Sequence, residues 1–164
     1  MAILGPHVAM KYIIMYNSSK IMELISKSTT LIAEKGSYEM LEMLHHLSCG
    51  YKAYVTDYAY IAMDEMRQAC GGAGFHIASG IALNFANNAP LTTYDGVNTV
   101  MMMQSSRLLL KQATLLAVGK KCEGYMAYLN DTEILLQSKS HARTIEEFLQ
   151  IEHLERALAT RAIY

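Results

Sequence analysis

Residues 68–110 read QACGGAGFHIASGIALNFANNAPLTTYDGVNTVMMMQSSRLLL, and the helix-breaking residues of the chain are concentrated here. A glycine-rich turn at 71–74 follows a long helical pattern. A polar loop then leads to a single carboxylate, Asp95, just before another helical pattern begins. Functional residues are often carried on loops that a rigid scaffold holds in place. The stretch therefore predicts a site that is built in a loop and held by helices.

Two long helical patterns precede this loop. The first covers residues 7–27 and extends toward Gly36, a residue type that commonly ends helices. Ser37 is then predicted to cap a second helix that runs to about Cys70, and Gly50 within it is expected to mark a close helix crossing. The seam of this second helix comprises Met40, Leu44, Leu47, Tyr51, Tyr54, Tyr58 and Ile61. A bundle helix is favoured over a free coiled coil, because the seam uses Tyr and Met rather than Leu and Ile.

Helical patterns also follow the loop. Asp95 or Asn98 is expected to cap a third helix that reaches about Val118. Its predicted apolar face comprises Val100, Met103, Leu108, Leu110 and Leu115. Residues 130–143 are polar and read as a linker, and the capping-box pattern at 144–147 opens a last helix. The inward residues of that helix are predicted to be Phe148, Ile151, Leu154, Leu158 and Ala162. With no convincing strand-period segment, the class is all-α, a helical bundle.

Composition excludes several function classes. The chain has 164 residues, 52% of them hydrophobic and only 18% charged, so some apolar surface is expected to meet another domain or subunit. The net charge of -1 argues against nucleic acid as the main partner. No apolar run is long enough to span a bilayer, and neither end carries a recognisable targeting signal. The three cysteines and six histidines form no set of three or four residues with the spacing of a zinc motif, so we expect free thiols and no metal site.

The residues of the loop have two interpretations. Taken alone, the glycine turn is most simply a helix end, although it could also let a ligand approach the backbone closely. Asp95 taken alone is most simply an N-cap, although a carboxylate at this place could also act as a general base. The physical pattern by itself leaves both interpretations open.

A family resemblance adds to this reading. The segments ACGGAGF at 69–75 and TTYDGVNTVMMMQSSRLLLK at 92–111 resemble the C-terminal α-domain of acyl-CoA oxidases, which belong to the flavin-dependent acyl-CoA dehydrogenase superfamily. Residues 4–16 resemble the start of a helix of that domain, residues 124–131 its linker, and residues 155–162 the first helix of a second α-domain. On this basis we expect residues 1–129 to form the first C-terminal α-domain, 130–143 a linker and 144–164 the start of the second.

The resemblance implies a reaction and a set of site residues. Acyl-CoA oxidases convert fatty acyl-CoA to trans-2-enoyl-CoA with FAD and reduce molecular oxygen to hydrogen peroxide. The family's catalytic base falls on Asp95, and the substrate-binding residues fall on Tyr94, Asp95 and Gly96. The expected cofactor-binding residues are Gln68, Gly71, Gly72, Gly96, Asn98 and Thr99. The resemblance further implies a homodimer or larger assembly, which supplies the N-terminal and β-domains, and a peroxisomal location.

This chain departs from the family pattern at the base itself. The family has phenylalanine–glutamate–glycine where this chain has Tyr94-Asp95-Gly96. Aspartate is one methylene shorter than glutamate, and a misplacement near 1 Å can lower a rate by about a hundredfold. The alternative hypothesis is therefore a catalytically weak or inactive oxidase-like subunit with a structural or interaction role.

Overall fold

The computed structural model describes residues 3–137 and 139–163, and within them the chain forms helices and turns with no strand. The all-α prediction is thus confirmed. The described residues fall into two compact units, divided between Leu108 and Leu109 within one helix, and each unit is described by itself.

The first helix, α1, spans Leu4–Lys35 and ends at the predicted glycine. Gly36 has φ of 60°, in the left-handed region, and its N–H donates to the carbonyl of Ile32 at 3.0 Å. A residue with a side chain would be strained in this conformation, which is why glycine is favoured directly after a helix.

The second helix, α2, spans Leu41–Ala69 and begins later than predicted. The expectation that Ser37 caps this helix is wrong, because the chain first makes a turn in which Leu41 N–H donates to the Tyr38 carbonyl at 3.1 Å. Met40 occupies the cap position and provides no side-chain hydrogen bond.

Tyrosine hydroxyls join α2 to α1. Tyr51 Oη donates to the Ile14 carbonyl at 2.6 Å and lies 2.7 Å from Ser18 Oγ. Tyr58 Oη lies 2.7 Å from Nδ1 of His7. The predicted apolar seam of α2 is only partly buried: Leu44 is 8% exposed, but Ile61 is 55% exposed. Two seam residues, Tyr51 and Tyr58, bond α1 through their hydroxyl groups, which an apolar repeat cannot reveal.

The segment between α2 and the next long helix is more helical than predicted. It contains α3 (Gly72–Phe75), α4 (Ile81–Asn88) and single helical turns at Ile77–Ser79 and Ala89–Thr92. The sequence predicted mostly irregular backbone over residues 75–94 with a short helix at 79–83; the helix that forms covers 81–88 instead, because α4 packs against α2. The ring of Phe85 lies 5.2 Å from that of Tyr60 and 5.4 Å from the Arg67 guanidinium. Tertiary contacts of this kind outweigh the weak helix propensity of asparagine.

The helix α5 spans Asn98–Ala117. Neither predicted cap forms: the Asn98 side chain reaches α2, and the Asp95 carboxylate bonds no described residue. The Val97 carbonyl instead accepts the N–H groups of Val100 and Met101 at 2.9 and 3.1 Å. The predicted apolar face is also largely wrong, since Leu108 is buried whereas Val100, Met103 and Leu110 are exposed.

In the described part of the second unit, a 3₁₀ helix at Gly124–Asp131 is followed by three α-helices. They are α6 (Thr132–Gln137), α7 (Ile145–Phe148) and α8 (Ile151–Ile163). The helix α6 lies in the segment predicted to be a linker, and the predicted last helix is split in two. Thr144 does cap α7, accepting the N–H of Glu147 at 3.2 Å, but the Glu147 carboxylate accepts from Arg143 N–H rather than from Thr144. The predicted inward residues of this helix are mostly exposed, at 40% for Phe148, 73% for Ile151 and 68% for Leu158. The domain boundaries at 129 and 144 stay a prediction.

Asn130 ties the 3₁₀ helix at Gly124–Asp131 to the segment that follows α5. Its side-chain amide accepts from Cys122 N–H and donates to the Cys122 carbonyl, both at 2.8 Å. Cys122 and Met126 beside it are buried. The described helices include none long and apolar enough to cross a membrane.

Candidate functional site

Asp95 has an unusual backbone conformation. It is the one non-glycine residue with positive φ in the described part of the chain, at 55°. A left-handed conformation costs an ordinary residue about 1–2 kcal/mol, and aspartate is among the few that tolerate it. Its carboxylate is exposed and has no hydrogen-bond or ion-pair partner among the described residues. An outlier of this kind supports a functional hypothesis for the residue that carries it.

The turn that carries Asp95 starts at Pro90. The Pro90 carbonyl accepts the N–H groups of Thr93 and Tyr94 at 2.9 and 3.0 Å, together with the hydroxyl of Thr93 at 2.9 Å. Gly96 follows Asp95 with φ of 96°, and a Cβ there would lie 2.6 Å from Cε of Met101. Glycine is therefore favoured at 96 by its backbone conformation, and any added Cβ would also displace the end of the Met101 side chain.

Lys52 of α2 holds the other side of the turn. Its ammonium donates to the Gly96 carbonyl at 2.6 Å and to Oδ1 of Asn98 at 2.7 Å. The lysine is half-buried. Charge-assisted bonds of this length are stronger than neutral ones, so the turn is tied to α2 next to the candidate base.

Asn98 completes a polar network between α2 and α5. Its Nδ2 lies 2.6 Å from Oδ1 of Asp57, 2.8 Å from Oγ1 of Thr56 and 3.2 Å from the Ala53 carbonyl. The residue is 7% exposed, and both ends of its amide have partners. Asn98 was predicted to bind cofactor, and the structure commits its side chain to α2. A cofactor role for Asn98 stays a prediction, and it could be carried only by the backbone.

Sequence reasoning missed this network. Lys52, Thr56 and Asp57 lie on one side of α2, within an otherwise apolar and aromatic pattern. Thr56 and Asp57 follow Lys52 by four and five residues, so the three polar side chains share one side of a helix. This pattern is the sequence signal that could have revealed the network. Their partner on α5, however, could not be read from the spacing.

The glycine turn forms a second part of the predicted site. Gly71 has φ of 55°, and a Cβ on Gly71 or Gly72 would meet no atom within 4 Å. Both glycines and Gln68 are exposed, so a planar or phosphate group could approach this backbone. A flavin contact at these three residues stays a prediction. Gly74 differs from them: it is buried, and a Cβ there would overlap the backbone carbonyl of Arg67.

An acidic residue orients the side chains beside this turn. Asp64 accepts hydrogen bonds from Arg67 and from Gln68, the latter at 2.7 Å. The bond from Arg67 first, and that from Gln68 second, hold the pKa of Asp64 below its usual value. The Gln68 amide is thus fixed in direction before any ligand arrives.

The two parts of the predicted site attach to α2 at separate places. Lys52, which holds the Asp95 turn, and Gln68 are sixteen residues apart in sequence. At a rise of 1.5 Å per residue they lie about 24 Å apart along the helix axis. The structure therefore groups Tyr94, Asp95, Gly96, Asn98 and Thr99 at one place, and Gln68, Gly71 and Gly72 at another. The described residues include no cluster of three or more potential metal ligands.

Comparison with known families decides what these features belong to. The sequence profile described as "Acyl-CoA oxidase, C-alpha1 domain" matches residues 2–110, which include the glycine turn, the Asp95 turn and the Lys52–Asn98 network. The chain belongs to the acyl-CoA oxidase family. Within this family the matched segment is the first C-terminal α-domain, as the resemblance predicted.

Individual acyl-CoA oxidases show the same similarity. Peroxisomal acyl-coenzyme A oxidase 1 of Rattus norvegicus is 40% identical over 97 residues, which are 59% of this chain and 15% of the rat protein. The crystal structure of LeACX1, an acyl-CoA oxidase from tomato, has a TM-score of 0.79 and 30% identity, covering 87% of this chain and 22% of that one. Acyl-CoA oxidase-2 of Caenorhabditis elegans, bound with FAD, ascaroside-CoA and ATP, has a TM-score of 0.65 and 27% identity, covering 86% of this chain and 21% of that one.

The chain spans only a small part of these proteins. It covers 18% and 15% of the length of two curated acyl-CoA oxidases that it matches. The family is therefore shown for the domain, whereas activity, substrate and partners belong to a whole oxidase.

Proposed function

We propose that this chain is the part of a flavin-dependent fatty acyl-CoA oxidase that supplies the catalytic base. The observation that carries the proposal is Asp95, which stands at the family's base position on a left-handed turn with its carboxylate unpaired. The reaction converts acyl-CoA to trans-2-enoyl-CoA, with removal of one proton from the α-carbon and one hydride from the β-carbon. Flavin, when bound, accepts that hydride and passes the two electrons to molecular oxygen, which becomes hydrogen peroxide with two protons.

The Asp95 carboxylate removes the α-proton. A general base must reach the proton it takes, and it must be free to accept it. The carboxylate is exposed and has no partner among the described side chains, so no existing hydrogen bond has to break before it acts. The turn anchored by Lys52 keeps it in place.

The backbone N–H of Asp95 donates a hydrogen bond to the carbonyl oxygen of the substrate's thioester. The N–H of Asp95 donates to no acceptor in the described part of the chain, although its neighbour Tyr94 N–H donates to Pro90. A free N–H beside the base can polarise the thioester carbonyl, and this lowers the energy of the enolate-like charge that develops there. Tyr94 and Gly96 complete the surface around the acyl group.

The start of α5 would lie near the flavin and substrate, and the glycine turn would contact the ADP part of the cofactor that a neighbouring subunit of the dimer binds. Gln68, Gly71 and Gly72 expose their backbone or amide groups at the end of α2, and Gly96 and Thr99 lie next to the base. The Caenorhabditis elegans relative is bound with FAD, which supports FAD as the cofactor here. We further propose a homodimer or larger assembly that supplies the remaining domains, and a peroxisomal location in line with the name of the rat relative.

A weak or inactive oxidase-like subunit is the second candidate. The observation that favours it is the aspartate itself, whose carboxylate is one methylene shorter than the family's glutamate. A base misplaced by about 1 Å can lose about a hundredfold in rate. In this case the domain would bind partners while contributing little chemistry.

The deciding experiment measures the intact protein in its native assembly. We expect an oxidised-flavin absorption band, and peroxide formed on addition of saturated acyl-CoA tested at short, medium and long chain lengths. Asp95→Asn should keep the flavin band and lower peroxide formation by at least about a hundredfold, the range that a general base supplies. Glu34→Gln, which removes an exposed carboxylate at the end of α1, serves as the control and should match the unmodified protein.

Two results would count against the proposal. Protein that holds flavin but forms no peroxide at any chain length favours the inactive subunit. Protein without a flavin band overturns the cofactor assignment itself.

A further inference from the structure

We propose that Lys52 is a positioning residue for the catalytic base, and that it acts with Asn98 to hold the turn that carries Asp95. The inference rests on the proposed function of Asp95 and assigns a role to residues outside the base itself. Neither side chain needs to touch substrate for this role.

The Lys52 ammonium is held between two acceptors at the Asp95 turn. Lysine side chains usually extend into water, but this one is half-buried, and its Nζ lies 2.6 Å from the Gly96 carbonyl and 2.7 Å from Asn98 Oδ1. Moving a charge away from water is unfavourable unless hydrogen bonds replace the lost ones. Two of the three N–H groups of the Lys52 ammonium donate hydrogen bonds here. One of these bonds is accepted by the carbonyl of Gly96, the residue directly after Asp95.

Asn98 has the chemical character that this place requires. Its oxygen faces the Lys52 cation, while its nitrogen faces Oδ1 of Asp57 at 2.6 Å and the Ala53 carbonyl at 3.2 Å. An amide is the side chain that offers an acceptor to a cation and a donor to an anion at once. A carboxylate at 98 would repel Asp57, and an apolar group would leave Lys52 and Asp57 without this partner.

The turn needs such support because the backbone conformation of Asp95 is unfavourable. Its φ is 55°, in the left-handed region that residues with a side chain rarely adopt, whereas glycine takes the φ of 96° at Gly96 without strain. Strained backbone persists when its surroundings hold it. The Gly96 carbonyl belongs to the residue that follows Asp95, so rotation of the backbone at Gly96 displaces the Asp95 carboxylate. The Lys52 bond opposes that rotation.

The first test substitutes the lysine in the intact, flavin-loaded protein. We expect Lys52→Met, which keeps the length of the side chain but removes its charge, to lower kcat between about ten- and a hundredfold. The flavin band should stay unchanged. Lys11→Met, which removes an exposed lysine of α1, is the matched control and should leave kcat unchanged. An unchanged kcat for Lys52→Met overturns the proposal.

A second test separates positioning from a general loss of stability. If Lys52 acts through Asp95, Lys52→Met should change the residual rate less than twofold once Asp95→Asn is already present. Equal fold-losses in both backgrounds would show that Lys52 does not act through the base. Asn98→Asp should lower kcat like Lys52→Met, and adding Asp57→Asn should restore part of it, because the pair then again offers one donor and one acceptor. Absence of any recovery would refute the role given to the Asn98 amide.

A third test needs no activity. Backbone amide exchange over residues 94–99 should be at least several-fold faster in Lys52→Met than in the unmodified protein, while exchange in the middle of α1 stays the same. If the unmodified protein forms no peroxide, the proposed function fails, and the exchange result still decides whether Lys52 holds the turn. Equal exchange in the two proteins overturns the inference whatever the activity.

Discussion

Gly50 of α2 lies directly against Ser105 of α5: a Cβ on Gly50 would be 2.8 Å from Ser105 Oγ. His46 secures the same crossing, since its Nδ1 lies 2.7 Å from the Ser105 carbonyl and 3.1 Å from Ser105 Oγ. A carbonyl can only accept, so Nδ1 of His46 carries a hydrogen here. The absence of a side chain at 50 is what allows α2 and α5 to approach this closely.

This crossing predicts how substitutions at Gly50 behave. Gly50→Ala should change the free energy of unfolding by less than about 1 kcal/mol, since the helix-propensity gain of alanine offsets the displacement of Ser105 Oγ. Gly50→Val should destabilise by about 1–3 kcal/mol, because the larger side chain cannot be accommodated. Denaturant unfolding of the intact protein measures both changes.

The double variant supplies a sharper check of the same contact. Gly50→Ala combined with Ser105→Ala should be more stable than the sum of the two single changes predicts, because the clashing hydroxyl is gone. Additive effects, or a Gly50→Val protein as stable as the original, would show that the helices are not in contact there.

Two substitutions in the glycine turn should separate an effect on stability from an effect on cofactor binding. Gly74→Ala is expected to destabilise by about 2 kcal/mol or more, because the added Cβ overlaps the Arg67 carbonyl and backbone cannot rotate away as a side chain can. Gly72→Ala should alter stability by less than about 0.5 kcal/mol, since its Cβ meets open space. Thermal unfolding compares the two variants.

The flavin content of the same two variants tests the proposed contact. If Gly72 lies against the cofactor, Gly72→Ala should hold less flavin per protein despite its normal stability. Flavin content equal to that of the unmodified protein would remove Gly72 from the proposed cofactor site.

Lengthening the base should raise activity if its reach is limiting. Asp95→Glu is expected to increase kcat by up to about a hundredfold, the loss that a displacement near 1 Å can cause. It should also lower the melting temperature slightly, because glutamate tolerates a φ of 55° less well than aspartate does. Stopped-flow reduction of the flavin by acyl-CoA measures the chemical step directly. An unchanged rate would show that the missing methylene is not the limit.

Lowering the pH should destabilise the C-terminal end of α2, because Asp64 becomes protonated. The hydrogen bonds from Arg67 and Gln68 lower the pKa of this carboxyl in the folded protein. A group whose pKa is lower in the folded state contributes stability above its unfolded value, about 3.9 for aspartate, and loses it as pH falls through the folded value. The stability difference between the unmodified protein and Asp64→Asn should therefore be constant above about pH 5 and shrink below about pH 4.

The size of this effect is limited by exposure, because water screens the charges of Asp64 and Arg67. Unfolding measured from pH 6 down to pH 2.5 provides the comparison. Glu34→Gln is a suitable control, and a difference for Asp64→Asn that is the same at every pH would contradict the assignment.

The sequence predicted local features well where the cause is local. Gly36 ends α1 because only glycine takes a left-handed conformation without strain, and Thr144 caps α7 because its hydroxyl reaches an N–H three residues away. Gly50 was also expected at a close crossing, and the structure confirms it. The resemblance placed the family's base at Asp95, and the profile match supports the family to which that expectation belongs.

Other features depended on contacts that no local pattern contains. Ser37 does not begin α2, and α4 forms where breakers argued against a helix because Phe85 packs on α2. Several apolar residues predicted to face inward, such as Met103 and Leu158, are exposed. Periodicity reports which residues share a face, but only the neighbouring elements decide whether that face is covered.

The sequence by itself thus determined the helical class, the end of α1 at Gly36 and the cap of α7 at Thr144, because these follow from backbone preferences and short-range hydrogen bonds. The position of the candidate base came from the family resemblance. Only the tertiary structure decided how that base is held. Lys52 and Asn98 are 46 residues apart in the chain and meet with an Nζ–Oδ1 distance of 2.7 Å. A hydrogen bond between distant residues forms because packing brings its partners together, and the spacing of residues along one chain carries no record of it.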